Sequence, residues 1–152
     1  MSVSNIVLEH VAGSDIIWRN FAGNETKYNN EGNRNFVLKL AQDIGQELSD
    51  IGWNVAFRAN KNDPDDTIPT LKVKVRYGHY RPRIYLVKPD MTAKTLLTED
   101  DISMLDSASI EYADFVITPY AWENNGKSGI AAYLKSMYII LEQDELSDKY
   151  GD

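Results

Sequence analysis

Cysteine is absent from the 152 residues, and histidine occurs only twice. The first absence removes disulfides, thiolate zinc sites and cysteine nucleophiles together, and fits a reducing compartment. His10 and His79 stand at no spacing that gives either a nucleophile or a metal partner, so histidine chemistry has nothing to build on. No apolar run approaches the ~18 residues of a membrane span. Met1 to Val11 holds neither a cationic segment nor a long apolar one, so no signal peptide is expected. Phosphate-loop and calcium-loop signatures also fail. Gly126-Lys127-Ser128 lacks the glycine five residues earlier, where Ala121 stands. Counting from Asp63, the sixth and twelfth places of a calcium loop hold Ile68 and Lys74 instead of Gly and Glu. Asn24-Glu25-Thr26 is a glycosylation sequon without a secretory setting. The residues therefore predict a soluble, intracellular protein that is not an enzyme and needs no cofactor or metal.

One further absence is local. Between Leu71 and Lys88 there is no carboxylate, and six cations stand there: Lys72, Lys74, Arg76, Arg81, Arg83 and Lys88. The whole chain carries a net charge of −7, so the remainder sums to −13 once those six are set aside. Leu71, Val73, Val75 and Tyr77 alternate with Lys72, Lys74 and Arg76, the period-two pattern of a strand with one apolar and one cationic face. Such a face suits a polyanion; an exposed strand also uses lysine to resist edge-to-edge pairing. The opposite sign gathers at the end, where Glu142, Asp144, Glu145, Asp148 and Asp152 face the single Lys149. We divide the chain into a domain over 1–141 and an acidic tail over 142–152, which is either a solubilising end, an interaction tail or a competitor for the basic groove.

The periodicities are mostly those of strands. Strands are expected over Asn5–Glu9, Asp15–Phe21, Asn35–Leu40, Trp53–Phe57, the basic run, Arg83–Val87 as its return partner, and Phe115–Tyr120. Ile130–Leu141 is ambiguous, its end favouring strand. Gln42–Ile51 reads as a helix stopped by Gly52, and Glu99–Leu105 as a second short one behind the Thr98 cap. Asn24–Gly32 and Asn60–Pro69 read as loops, the latter long and mobile. The resulting class is mainly β, an OB-fold-like Greek-key barrel with one or two short helices, with a β-sandwich as the alternative.

Sixteen residues are aromatic, and many adjoin cations, as in Lys27–Tyr28, Arg76–Tyr77 and Tyr80–Arg81. Cations follow phosphates while ring faces take unstacked bases, so this interleaving suits single-stranded nucleic acid. Phe36, Trp53, Phe57, Phe115 and Tyr138 are expected to pack inward, and Tyr28, Tyr80 and Trp122 to stand exposed. The candidate interface comprises Arg34, Lys72, Lys74, Arg76, Tyr80, Arg81 and Arg83, with Arg19, Lys27 and Tyr28 at its edge and Trp122 as a further ring. No base-reading arrangement stands out, so sequence-tolerant binding is expected.

Several separated blocks carry a resemblance. Trp18-Arg19-Asn20-Phe21-x-Gly23, Tyr28-Asn29, Gly32-x-Arg34-Asn35-Phe36, Gly52-Trp53-Asn54-Val55, Leu105-Asp106, Pro119-Tyr120-x-Trp122, Gly126, Gly129 and the run Ala132 to Tyr138 together resemble a family of bacteriophage single-stranded-DNA-binding proteins. The resemblance spans roughly Trp18 to Tyr150. It implies an OB-like barrel that coats phage single strands in replication or recombination, acting in the host cytoplasm. Single-stranded DNA is the expected partner, with replication or recombination proteins reached through the acidic tail; a homo-oligomer is compatible with it, and no membrane is involved. A virion component or a recombination accessory factor, working through protein contacts, is the alternative reading.

Overall fold

The computed structural model describes residues 4–78, 81–90 and 92–142. Among these residues, nine strands form one hydrogen-bonded sheet: β1 (Ile6–Ala12), β2 (Ile16–Asn20), β3 (Arg34–Lys39), β4 (Val55–Asn60), β5 (Asp63–Val75), β6 (Arg83–Val87), β7 (Lys94–Leu97), β8 (Ile110–Asn124) and β9 (Lys127–Leu141). The main path runs β1-β8-β9-β5-β3-β2, with β4 beside β5, and with β6 between β7 and β9. Pairing is antiparallel except for β5–β9 and β6–β9. The sheet curls into an OB-like half-barrel. Because all nine strands share one sheet, the sandwich alternative falls away.

The core lies inside the curl, and the alternation in β5 shows how it forms. Leu71, Val73 and Val75 are buried while Lys72 and Arg76 are exposed, so a single strand supplies both the core and a cationic outer face. Phe21, Phe36 and Phe115 form a stacked-to-tilted aromatic column, with centroids 5.1 and 5.5 Å apart. Helix α1 (Gln42–Ile51) ends where Gly52 adopts φ 117° and donates its N–H to the Leu48 and Ser49 carbonyls. Glycine takes that left-handed C-terminal position without a Cβ penalty.

Several expectations need correction. Asn60–Pro69 is not a long mobile loop: the turn shrinks to Lys61–Asn62, and Asp63 onward is the first half of β5, paired with β4 through Thr67↔Ala59 and Pro69↔Phe57. Asp65, Asp66 and Thr67 are exposed on both faces of this arm, so no apolar alternation marks it as a strand. Arg83–Val87 does not return along the basic strand. One side of β5 is taken by β3, and the other by β4 and then β9, so β6 pairs with β9 and β7 instead. The second helix is a 3-10 turn over Ile102–Asp106, and the Thr98 hydroxyl donates to the Asp101 carboxylate (2.8 Å) instead of capping. Ile130–Leu141 lies wholly within β9, and Phe115–Tyr120 is the middle of the 15-residue β8. Phe36, Trp53 and Phe115 are buried as expected, whereas Phe57 is exposed and Tyr138 lies half-buried on the outer face.

Candidate nucleic-acid interface

Strand register assembles the outer face. Residues paired across strands point to the same side, so Lys74 shares its side with Asn35 on β3 and Tyr133 on β9. Tyr133 in turn faces Thr118 on β8, and the alternation there brings Tyr120 and Trp122 to the same side. The rings and cations touch. The Lys74 ammonium and the Arg76 guanidinium lie 5.8 and 5.3 Å from the Tyr133 ring centre, and Tyr120 meets Tyr133 edge-on at 5.6 Å. Tyr120 is 58% exposed, leaving its ring open to solvent. Among the described residues, the sole ion pair is Arg34–Glu99 (3.4 Å), so no described carboxylate neutralises the cations of β5. Lys72, Lys74, Arg76, Tyr77 and Asn35 also line a cavity of about 380 Å³.

The Asn-rich segment before β3 is fixed at the rim of this face. The Asn29 side-chain amide donates to the Asn24, Asn30 and Asn33 carbonyls, while its oxygen accepts from Asn35, the cross-strand neighbour of Lys74. This clamp presents Tyr28, which is 87% exposed, with Lys27 at 5.8 Å from its ring. Trp122 is half-buried, its ring packed over Gly129 close to Asn54, where a Cβ on residue 129 would come within 2.8 Å of the indole. Arg83 is exposed and pairs with Ser136 of β9, further along the same side. Arg81 is exposed next to it. Tyr80 lies outside the described residues.

Two predicted cations are held by internal contacts, Arg34 while lining the same cavity as Lys72, Lys74 and Arg76. Arg34 donates to the Phe21 and Glu99 carbonyls, pairs with the Glu99 carboxylate and lies 5.7 Å from the Tyr77 ring. Arg19 donates to the carbonyls of Gly13, Ile16, Leu105 and Ala108, while Asp106 accepts the N–H groups of Phe21 and Ala22. Burial draws the Arg19 guanidinium below its usual pKa range, against the opposing charge of Asp106. The blocks around Trp18–Gly23 and Leu105-Asp106 are thus two halves of one internal clamp.

Other rings and cations of this face lie outside the residues marked by the sequence. Trp18, 59% exposed, sits at a bulge with φ 47° and carries the Arg58 guanidinium 4.8 Å above its ring. Arg58 pairs with Ile68, on the Lys72 side of β5. Tyr133 and Tyr120 were legible in principle, since both keep period two with Trp122 or Ala131 once β8 and β9 are read as long strands.

A sequence model of the family described as "Putative phage ssDNA-binding domain" matches residues 2–152. The chain belongs to this family. Among curated proteins there is no match. Among solved structures, the chain is similar to the single-stranded DNA-binding protein from bacteriophage Enc34 in complex with ssDNA, with TM-score 0.55, 12% identity, and 92% of this chain and 88% of that one covered. It is similar also to the C-terminal truncation of that protein (TM-score 0.53, 12% identity, 92% and 87% covered) and to the protein by itself (0.52, 13%, 96% and 89%). At such identities the shared property is the fold.

Proposed function

We propose that this phage ssDNA-binding family member coats single strands during phage DNA replication or recombination, with a non-enzymatic, largely sequence-tolerant role. One observation carries the reading. Lys72, Lys74 and Arg76 stand on one side of the sheet with Tyr133 and Tyr120, cations unpaired by any described carboxylate and rings in contact with them. Phosphates would follow the cations and bases would lie on the rings, at roughly 1–3 kcal/mol per stacked base. The family, and the Enc34 protein solved with single-stranded DNA on a related fold, support it.

In this reading Lys72, Lys74, Arg76, Arg81 and Arg83 contact phosphate, Tyr80 keeps the base-stacking role its sequence context suggests, and Lys27, Tyr28 and Trp122 flank the path. Arg34, tied to Glu99, lines the same cavity, and Arg19 supports the face from behind. The acidic segment 142–152 acts as a separate tail that meets replication or recombination proteins in the host cytoplasm. Further copies of the chain bind side by side on a long strand.

A fluorescent oligo-dT of about 15 nucleotides, within the site sizes of such folds, tests the function at low salt. Saturable binding is expected; none below about tens of micromolar, the middle of the nonspecific range, overturns it. Truncation after Leu141 is expected to keep or tighten that binding while abolishing contact with a partner protein.

A further inference from the structure

The outer face continues past Tyr133 into a second cluster that none of the residues above includes. Leu134 pairs with Ile117 but Ser136 with Val116, so Lys135 is an extra residue that resets the alternation of β9. Tyr133 and Tyr138 therefore both turn away from the core that takes up Leu134, Met137 and Ile139. Tyr138 stacks on Tyr85 of β6 (5.1 Å, 12°), and the Lys94 ammonium lies 4.5 Å from the Tyr85 centroid and 5.6 Å from that of Tyr138. Beside them is a cavity of about 390 Å³ lined by Val87, Lys94, Tyr112, Asp114, Tyr138 and Ile140. Arg83, paired with Ser136, bridges the two clusters.

Asp114 is the unexpected member. It stands directly across from Tyr138, on a face otherwise built for phosphate. Its Oδ1 accepts the His10 backbone N–H at 2.7 Å, and His10 reaches that position through the β1 bulge, in a left-handed conformation (φ 56°). The His10 ring stacks on Tyr112 at 3.8 Å, which fixes the same corner. Among the described residues, Oδ2 accepts no hydrogen bond and Asp114 forms no ion pair. A carboxylate repels phosphate, so the ligand group that fits here is a base edge that donates hydrogen. Aspartate accepts from the N4 amine of cytosine. Thymine offers only N3–H, flanked by two carbonyl oxygens that a carboxylate repels.

We propose that this cavity is a base-reading subsite, in which the Asp114 carboxylate accepts an exocyclic base amine while the Tyr138 and Lys94 side chains flank the base. The inference rests on the single-strand-binding reading and adds one selective position to a tolerant path. Oligo-dC and oligo-dT of equal length, titrated at pH 7.5 and one salt concentration, test it. The parent protein is expected to prefer dC by about fivefold to tenfold, the lower part of the range for base-edge hydrogen bonds. In Asp114→Asn the amide oxygen can keep the His10 contact while its NH₂ replaces the acceptor. The preference should disappear, with dT affinity held or raised and the urea midpoint close to the parent's. Equal dC and dT affinity in the parent overturns the subsite, whether or not the variant folds, and leaves the binding function standing. A dC preference that survives in Asp114→Asn overturns the role of Asp114. If the parent binds neither oligonucleotide, the function itself has failed.

Discussion

Tyr133 holds the central position among single residues. Lys74 and Arg76 sit over its ring and Tyr120 meets its edge, so one side chain links the phosphate-binding and base-stacking parts of the face. Tyr133→Ala is expected to weaken oligo-dT binding by about 1–3 kcal/mol, read by fluorescence anisotropy, while the urea midpoint stays near the parent's because the ring lies outside the core. Tyr77 makes a different prediction. Burial raises its phenol pKa, against the opposing pull of Arg34, and no described group hydrogen-bonds its oxygen. A raised pKa favours the neutral phenol in the folded state. Its contribution is therefore complete below the ordinary tyrosine value of about 10 and is lost as pH climbs through the folded value. Tyr77→Phe should change stability at pH 7 by no more than about 1 kcal/mol and should flatten the loss of urea resistance above about pH 10. A variant that loses stability as steeply as the parent would assign that loss to another group.

Elements differ in how openly their sequences declare them. Helix α1 and the basic half of β5 were legible because one face of each is apolar and the other solvated, so periodicity reports the fold directly. The arm of β5 was not legible: its pairing with β4 is made by backbone, and Asp63, Asp65 and Asp66 carry only solvent-side signals. Sequence could not reveal that β6 joins β9 in parallel, because the sheet edge it takes is set by strands far along the chain. The interface shared that divide. Lys72, Lys74 and Arg76 were visible from alternation, while the Tyr133, Trp18–Arg58 and Tyr85–Tyr138 groupings depend on register and two bulges. Arg19 shows the converse, a cation beside aromatics that spends four of its five N–H donors on carbonyls. Gly45 is the contact between α1 and this sheet: a Cβ there would collide with Pro69 Cβ and approach its Cγ to 2.6 Å. Alanine gains about 1 kcal/mol in helix propensity, but overpacking costs about 1–3 kcal/mol. Gly45→Ala should therefore be net destabilising in urea titrations, and a stabilised variant would mean that the helix can move off β5.

Across the whole molecule, charge is separated. A chain of net −7 presents a cationic strand, paired with no described carboxylate, on one side of its sheet among aromatic rings, and leaves carboxylates on the β4–β5 arm. Affinity for a polyanion depends on the local face more than on the total, and releases counterions as phosphates are neutralised. The direct measurement is the salt dependence of oligo-dT binding for the parent and for Lys72→Glu/Lys74→Glu/Arg76→Glu, with circular dichroism verifying the fold. Each phosphate contact contributes about −0.7 to the log–log slope, so loss of three should flatten it by about 2 and weaken binding at low salt for every sequence tested. An unchanged slope and affinity in a correctly folded triple variant would contradict the account, because the DNA would then lie somewhere other than on this face.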